Sequence, residues 1–304
     1  MFQTFQQYLQ ASRPSFLSIT LVGYLIGYSI NPSSSDWRLA IAGLAVALLA
    51  HAAGNMINDY HDSKNGSDAK NIDRIYPFTG GSRMIQNGIF SESDINRLAL
   101  IMFSLSILLG ITLVYLTTIL LLAIGFLGVF LAWAYSAPPF KLMSRGLAGE
   151  ISIALAWALV VIGAAILNSY NDDSLIMASI LIGLSYGLVV ANILFVNQVP
   201  DIQADRSVGK HTLAASINPK NIWIIYLCFY ILANAILLIG YQLNILDTRH
   251  LLPITISPLA LYSTYLLNGL NHDEVSLKKV IILTIVIGHL YGAILFISNL
   301  LVYF

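Results

Sequence analysis

A transmembrane helix needs roughly 20 predominantly apolar residues, and this chain contains nine such stretches. They lie near 14–31, 38–58, 97–116, 118–135, 147–167, 174–196, 221–241, 251–269 and 279–300. The pattern predicts an all-α membrane protein, with about nine helices in a single domain spanning residues 1–304. Composition agrees, because only 10% of residues are charged and 57% are hydrophobic, whereas about a quarter of a soluble domain is charged. The third and fourth stretches are separated by almost nothing polar, so that pair reads as an apolar hairpin.

Loop charges orient the segments, since Lys and Arg collect on the cytoplasmic side of a membrane. Arg13 precedes the first stretch; Lys64, Lys70, Arg74, Arg83 and Arg97 follow the second; Lys141 and Arg145 follow the fourth. Arg206, Lys210 and Lys220 follow the sixth, and Lys278 and Lys279 follow the eighth, which leaves only Arg38 and Arg249 on the other side. This asymmetry predicts a cytoplasmic N-terminus, a C-terminus on the opposite side and an odd number of spans, in a plasma or inner membrane. The N-terminal residues mix Phe2, Phe5 and Leu9 with Gln and Ser, which fits a short interfacial helix better than a cleaved signal. Formal net charge is zero, so no basic field recruits nucleic acid, and no required protein partner is evident. The single cysteine, Cys228, excludes an internal disulfide.

Two stretches end in acids. After the second come Asn55, Asn58, Asp59 and Asp62. Asn55, Asn58 and Asp62 share one helical face, while Asp59 points away by about a hundred degrees. After the sixth come Asn197, Asp201 and Asp205, which share a face if the helix continues through Pro200. The charge asymmetry puts both motifs on the cytoplasmic side, and their similar endings hint at two related halves. Facing each other, they would form an oxygen-rich cage suited to magnesium, which takes one or two carboxylates and fills its shell with water and phosphate. Carboxylates that merely solvate a membrane boundary are the alternative for any one Asp, but two clusters of matching spacing on one side speak against it. No His/Cys set has zinc spacing.

Cations accompany the acids. Arg13, Lys64, Arg74, Arg83, Lys141, Arg145, Arg206 and Lys210 all fall near the same side. Metal-holding acids beside Lys and Arg suit a diphosphate better than a bare cation. Any one of these bases could instead set topology or touch a lipid headgroup; Arg13, Lys141 and Lys210 stand out because each lies at a helix entry or a Gly/Pro-shaped turn. Tyr135 precedes the Pro138-Pro139 turn and Lys141; it is either an interfacial aromatic or a ring bordering a cationic reacting centre. Gly80-Gly81 offers backbone that can approach an anion or bend as a lid. His51, His61, His211, His250, His272 and His289 are scattered and form no ligand face.

Together these residues resemble the UbiA superfamily of intramembrane prenyltransferases over nearly the whole chain. The first motif matches as Asn58-Asp59-x-x-Asp62, and the following Gly66 and Asp68 fit the variant NDYxDxxxGxD of the branch that prenylates 1,4-dihydroxy-2-naphthoate in menaquinone synthesis. Asp201-x-x-x-Asp205 with Gly209-Lys210 and Thr212-Leu213, Arg13-Pro14, and Tyr135-Ser136 with Pro139 and Lys141 are also similar. One departure is Gly66, where stricter versions of the motif carry a further Asp. The resemblance implies a nine-helix fold around a central cavity, in which Asn58, Asp62, Asp201 and Asp205 hold Mg2+, two ions in all, with Asp68 contributing; the face shared with Asp201 and Asp205 adds Asn197 to the expected metal ligands. It further implies Arg13, Lys141 and Lys210 as diphosphate-binding residues; by charge and position Arg83 and Arg145 are expected to join them, and Asn58, Asp62, Asp201, Asp205 and Tyr135 are the expected catalytic residues.

The chemistry so implied is electrophilic alkylation. A polyprenyl diphosphate donor loses diphosphate, an aromatic acceptor attacks the resulting carbocation-like carbon, and a membrane-buried cavity excludes the water that would quench it. The acceptor stays open between 1,4-dihydroxy-2-naphthoate, 4-hydroxybenzoate, homogentisate and a lipid, with cyclisation of the donor as a further variant. The rival from another class is a cation-coupled transporter. Its carboxylates belong near the bilayer midplane on discontinuous helices, whereas these sit at cytoplasmic helix ends.

Overall fold

In the computed structural model, which describes residues 4–31, 36–71, 74–169, 172–269 and 274–302, each expected apolar stretch forms helix. Helix α1 (Phe5–Ala11) is short, with Phe5, Tyr8 and Leu9 exposed along it. Arg13 then adopts left-handed backbone and Pro14 opens α2 (Pro14–Tyr28), a position where the missing proline N–H costs nothing. Helix α3 (Trp37–Asn65) starts on an Asp36 cap and ends where Gly66 turns left-handed; only glycine enters that conformation without strain. A single turn, α4 (Ser67–Lys70), follows.

Helices α5 (Glu92–Leu116) and α6 (Leu120–Ala134) form the expected hairpin, separated by three residues. Beyond them come α7 (Ala148–Ser169), α8 (Asp173–Asn197), α9 (Ile202–Ser207), α10 (Leu213–Ser216) and α11 (Ile222–Gln242). A 3-10 segment (Thr248–Ile256) leads into α12 (Ser257–Asn268), and α13 (Glu274–Val302) closes the chain. Among the described residues, seven segments are long and apolar enough to cross a membrane. The remaining two, α2 and α6, have 15 residues each, or about 22 Å at 1.5 Å per residue. His272 lies outside the described residues.

Small residues let the central helices touch. A Cβ at Gly27 would lie 2.0 Å from the Val161 carbonyl oxygen, and one at Gly187 would lie 2.0 Å from that of Ala154. Glycine at these points therefore brings α2 and α8 against α7 at backbone distance, the usual device where lipid supplies no hydrophobic drive between helices. The core around them is filled by Ile26, Val161, Tyr186, Leu237 and Tyr291. Buried tyrosines are tied by hydrogen bonds: Tyr186 donates to the Ile19 carbonyl at 2.9 Å, and Tyr291 lies 2.7 Å from the Ser185 hydroxyl.

Two short strands, β1 (Arg145–Gly146) and β2 (His211–Thr212), pair in parallel with Arg145 opposite His211. This clip fastens the loop after α6 to the loop after α9. Lys210, immediately before β2, is thereby fixed in place.

Candidate active site

Helices α2, α3, α5, α6, α7, α8 and α13 enclose a cavity of about 430 Å³. One end is lined by Arg13, Asn58, Asp62, Asp68, Asp201, Asp205 and Lys210, and the rest by groups such as Val46, Gly125, Gly128, Val160, Gly163 and Leu167. Charged and apolar walls thus share one continuous space.

On α3 Asp59 and Asp62, three residues apart and so about 60° around the helix, go to different partners. Asp62 receives Asn58 Nδ2 at 3.2 Å, Asn65 Nδ2 at 3.2 Å and Lys210 Nζ at 3.0 and 3.1 Å. Asp59 instead pairs with Arg13 and accepts the Ser82 N–H at 3.2 Å. Asn55 is spent on structure, donating to the Ser12 carbonyl at 2.9 Å. Asp68, buried on α4, accepts Gln86 Nε2 at 3.3 Å, while its carbonyl is held by Arg83.

The second motif does not lie on a continuous helix, the condition under which its residues would share a face. Helix α8 stops at Asn197, a turn carries Pro200, and α9 restarts at Ile202 with Asp201 at its N-cap. Proline has no N–H and clashes with the preceding turn, so the helix cannot pass through. Asp201 and Asp205 nonetheless both reach the cavity. Asn71 Nδ2 donates to Asp201 at 2.7 Å, Thr212 Oγ1 to Asp205 at 3.2 Å, and Lys210 Nζ lies 3.7 Å from Asp205. Lys210 therefore bridges the two motifs.

Electrostatics follow from this crowding. Burial, then Asp62 and Asp59, push Asp68 up to about 8, and burial pushes Asp201 up to about 6 despite the Asn71 bond. Asp205 is raised too, chiefly by burial. For Lys210 burial opposes the charge, but Asp62 and Asp205 outweigh it and hold the ammonium firmly protonated. Carboxylates raised by burial and by one another mark a place short of positive charge.

The carboxylates and amides of the two motifs fit a hard divalent cation by donor chemistry, since all offer oxygen ligands. Asn71 Oδ1 and Asn197 Oδ1 strengthen the fit: both are buried, both belong to cavity-lining residues, and neither has a hydrogen-bond partner among the described residues. As arranged, with Lys210 between the motifs, the described residues hold no group of three or more acids, His or Cys close enough to chelate an ion.

Of the residues singled out from sequence, Arg13, Asn58, Asp62, Asp68, Tyr135, Asn197, Asp201, Asp205 and Lys210 line the cavity. Lys141 and Arg145 do not: both are exposed, Lys141 on a left-handed turn and Arg145 donating to the Pro139 carbonyl at 2.7 Å. The turn after α6 leaves both side chains exposed and outside the cavity lining. Arg83 also stands outside the lining and acts on the Asp68 backbone. Sequence reading missed Asn71, whose signal was its place three residues after Asp68 on the same polar segment, one helical turn on.

The model of the UbiA prenyltransferase family matches residues 16–279. The 1,4-dihydroxy-2-naphthoate octaprenyltransferase of Escherichia coli is 29% identical over 225 residues, covering 71% of this chain and 70% of that protein. UbiA prenyltransferase domain-containing protein 1 of Dictyostelium discoideum is 28% identical over 235 residues, 73% of this chain and 67% of its own. Among solved structures, a UbiA homolog from Archaeoglobus fulgidus bound to DMAPP and Mg2+ superposes with a TM-score of 0.65 at 17% identity, over 95% of this chain and 99% of that one. The fold agrees across that whole length. With the family model covering most of the chain and both acidic motifs in place, this protein belongs to the UbiA prenyltransferase family and is a prenyltransferase.

Proposed function

We propose that the enzyme moves a polyprenyl group from an allylic polyprenyl diphosphate to 1,4-dihydroxy-2-naphthoate, a step of menaquinone biosynthesis. The observation that carries this reading is the division of one cavity into an end rich in carboxylates and cations and a remainder walled by apolar and small residues. A diphosphate matches the first and an isoprenoid tail the second. The naphthoate acceptor is supported by the Escherichia coli relative's name, and the magnesium-bound diphosphate by the Archaeoglobus fulgidus homolog.

In this reading Asn58, Asp62, Asp68, Asn197, Asp201 and Asp205 hold magnesium, two ions in all, with Asn71 beside Asp201 as an added oxygen donor. Bound magnesium supplies Lewis-acid neutralisation of the departing diphosphate. Arg13 and Lys210, both lining the charged end, add fixed positive charge where negative charge develops. The Tyr135 ring faces the same cavity and can stabilise the allylic cation as C1 separates. Apolar walls exclude water from that carbon. The acceptor carbon then bonds to C1, and the ring loses its carboxylate as carbon dioxide to regain aromaticity.

The loop charges support a site at the cytoplasmic face, with the N-terminus on that side and the C-terminus across the membrane. The test is mass spectrometry of products from purified protein given Mg2+, mixed polyprenyl diphosphates and a panel of aromatic acceptors. Prenylated product is expected with 1,4-dihydroxy-2-naphthoate; product with 4-hydroxybenzoate or homogentisate alone would overturn the acceptor assignment.

A further inference from the structure

His51 sits on α3 seven residues before Asn58, about 10 Å below it along the helix axis. It lines the cavity, whose wall also includes the apolar Ala47, Ile153 and Ala156. The Nδ1 atom is braced by the buried Thr20 hydroxyl at 2.7 Å, and the ring meets Trp157 edge to face, centroids 4.9 Å apart at 83°. This is the only hydrogen bond His51 makes among the described residues, so Nε2 remains for a ligand, as donor or acceptor according to the tautomer. Trp157, only 9% exposed, has an indole N–H without a partner among the described residues.

An isoprenoid tail offers nothing to such groups. A polar atom facing only hydrocarbon in a low-dielectric cavity is costly, and water at this depth would quench the allylic cation. A ligand that brings both a flat ring and a hydroxyl removes the conflict. We propose that His51, braced by Thr20 and flanked by Trp157, anchors a ring hydroxyl of the aromatic acceptor through Nε2 and thereby sets which acceptors are used. The inference rests on the acceptor reading above. It adds a hydrogen-bonding selectivity site at the border between the charged and apolar parts of the cavity.

The experiment is steady-state kinetics of the full-length protein with Mg2+, varying donor and 1,4-dihydroxy-2-naphthoate separately, for wild type, His51→Leu and His51→Gln. An O-methylated acceptor analogue is included as a competitive inhibitor. His51→Leu is expected to raise the acceptor KM about tenfold while the donor KM stays within about twofold, and His51→Gln to recover most of the loss. Wild type should bind the methylated analogue about tenfold more weakly than the parent, and His51→Leu should no longer separate them. An unchanged acceptor KM in His51→Leu overturns the proposal, as does an equal rise in both KM values. Failure of both variants to fold also overturns it, since His51 would then be structural. If wild type turns over none of the aromatic acceptors, the function assigned above is what fails; active wild type with indifferent His51 variants refutes this inference alone.

Discussion

The first acidic motif rides on an uninterrupted helix from Trp37 to Asn65, whereas the second straddles a break, with α8 ending at Asn197 and α9 beginning at Ile202. Their sequence spacings are nearly the same, yet one is delivered by helical periodicity and the other by a turn. On α3, Asp62 is aimed by the helix itself, with Asn58 one turn earlier. At the break, Asp201 and Asp205 are aimed by outside partners, Asn71 and Thr212. A rigid half thus faces an assembled half, and Lys210 joins them through Asp62 and Asp205. Matching spacing is evidence that residues serve one site; it is not evidence that they share a backbone path.

The largest expected effect breaks each half directly. Asp62→Ala and Asp201→Ala should each lower prenyl transfer on the order of 10³-fold while the protein stays folded in detergent, as judged by size exclusion and circular dichroism. Near-normal turnover in either variant would remove that half from the site.

Next is the bridge. Lys210→Met leaves Asp62 and Asp205 buried without their shared cation, and losing one partner of a buried pair costs about 3–5 kcal/mol. Thermal unfolding of metal-free protein should show that loss, and added Mg2+ should restore part of it. An unchanged melting temperature would mean that the two halves do not depend on this contact.

The smallest effect concerns protons. Asp201 and Asp68 hold their protons up to about 6 and about 8, above the ordinary carboxylate value of about 4. The folded state therefore binds protons more tightly than the unfolded chain. Stability of the metal-free protein should fall as pH rises from about 4, levelling past 6 for Asp201 and past 8 for Asp68. Magnesium competes with those protons, so unfolding midpoints measured with Mg2+ should depend less on pH than those measured with a chelator. A midpoint that rises with pH over this window in chelator would contradict the burial of these acids.

Much of the site could be read from one dimension. Asn58, Asp62 and the sixth-stretch acids announced themselves because a carboxylate at the end of an apolar helix is costly and rarely idle. Lys210 was legible as the base after Gly209 in the second motif. Lys141 and Arg145 lie outside the cavity lining, since charge and proximity in sequence say nothing about which way a turn points. Asn71 and His51 were harder to read for a different reason: Asn71 offered only its place one turn after Asp68, His51 offered no periodic signal, and the meaning of each depends on neighbours 130 and 31 residues away.

The apolar runs by themselves determined an all-helical membrane protein, because a lipid-embedded backbone must satisfy its hydrogen bonds internally. The helical period likewise determined which acids share a face on α3. Tertiary structure alone decided that Asp59 belongs to Arg13 and Asp62 to Lys210, that Pro200 breaks the second motif, and that α7 meets α2 and α8 at glycines. Those outcomes depend on which distant side chain fills the space beside each group, and burial makes the choice of partner energetically decisive only after the helices have packed.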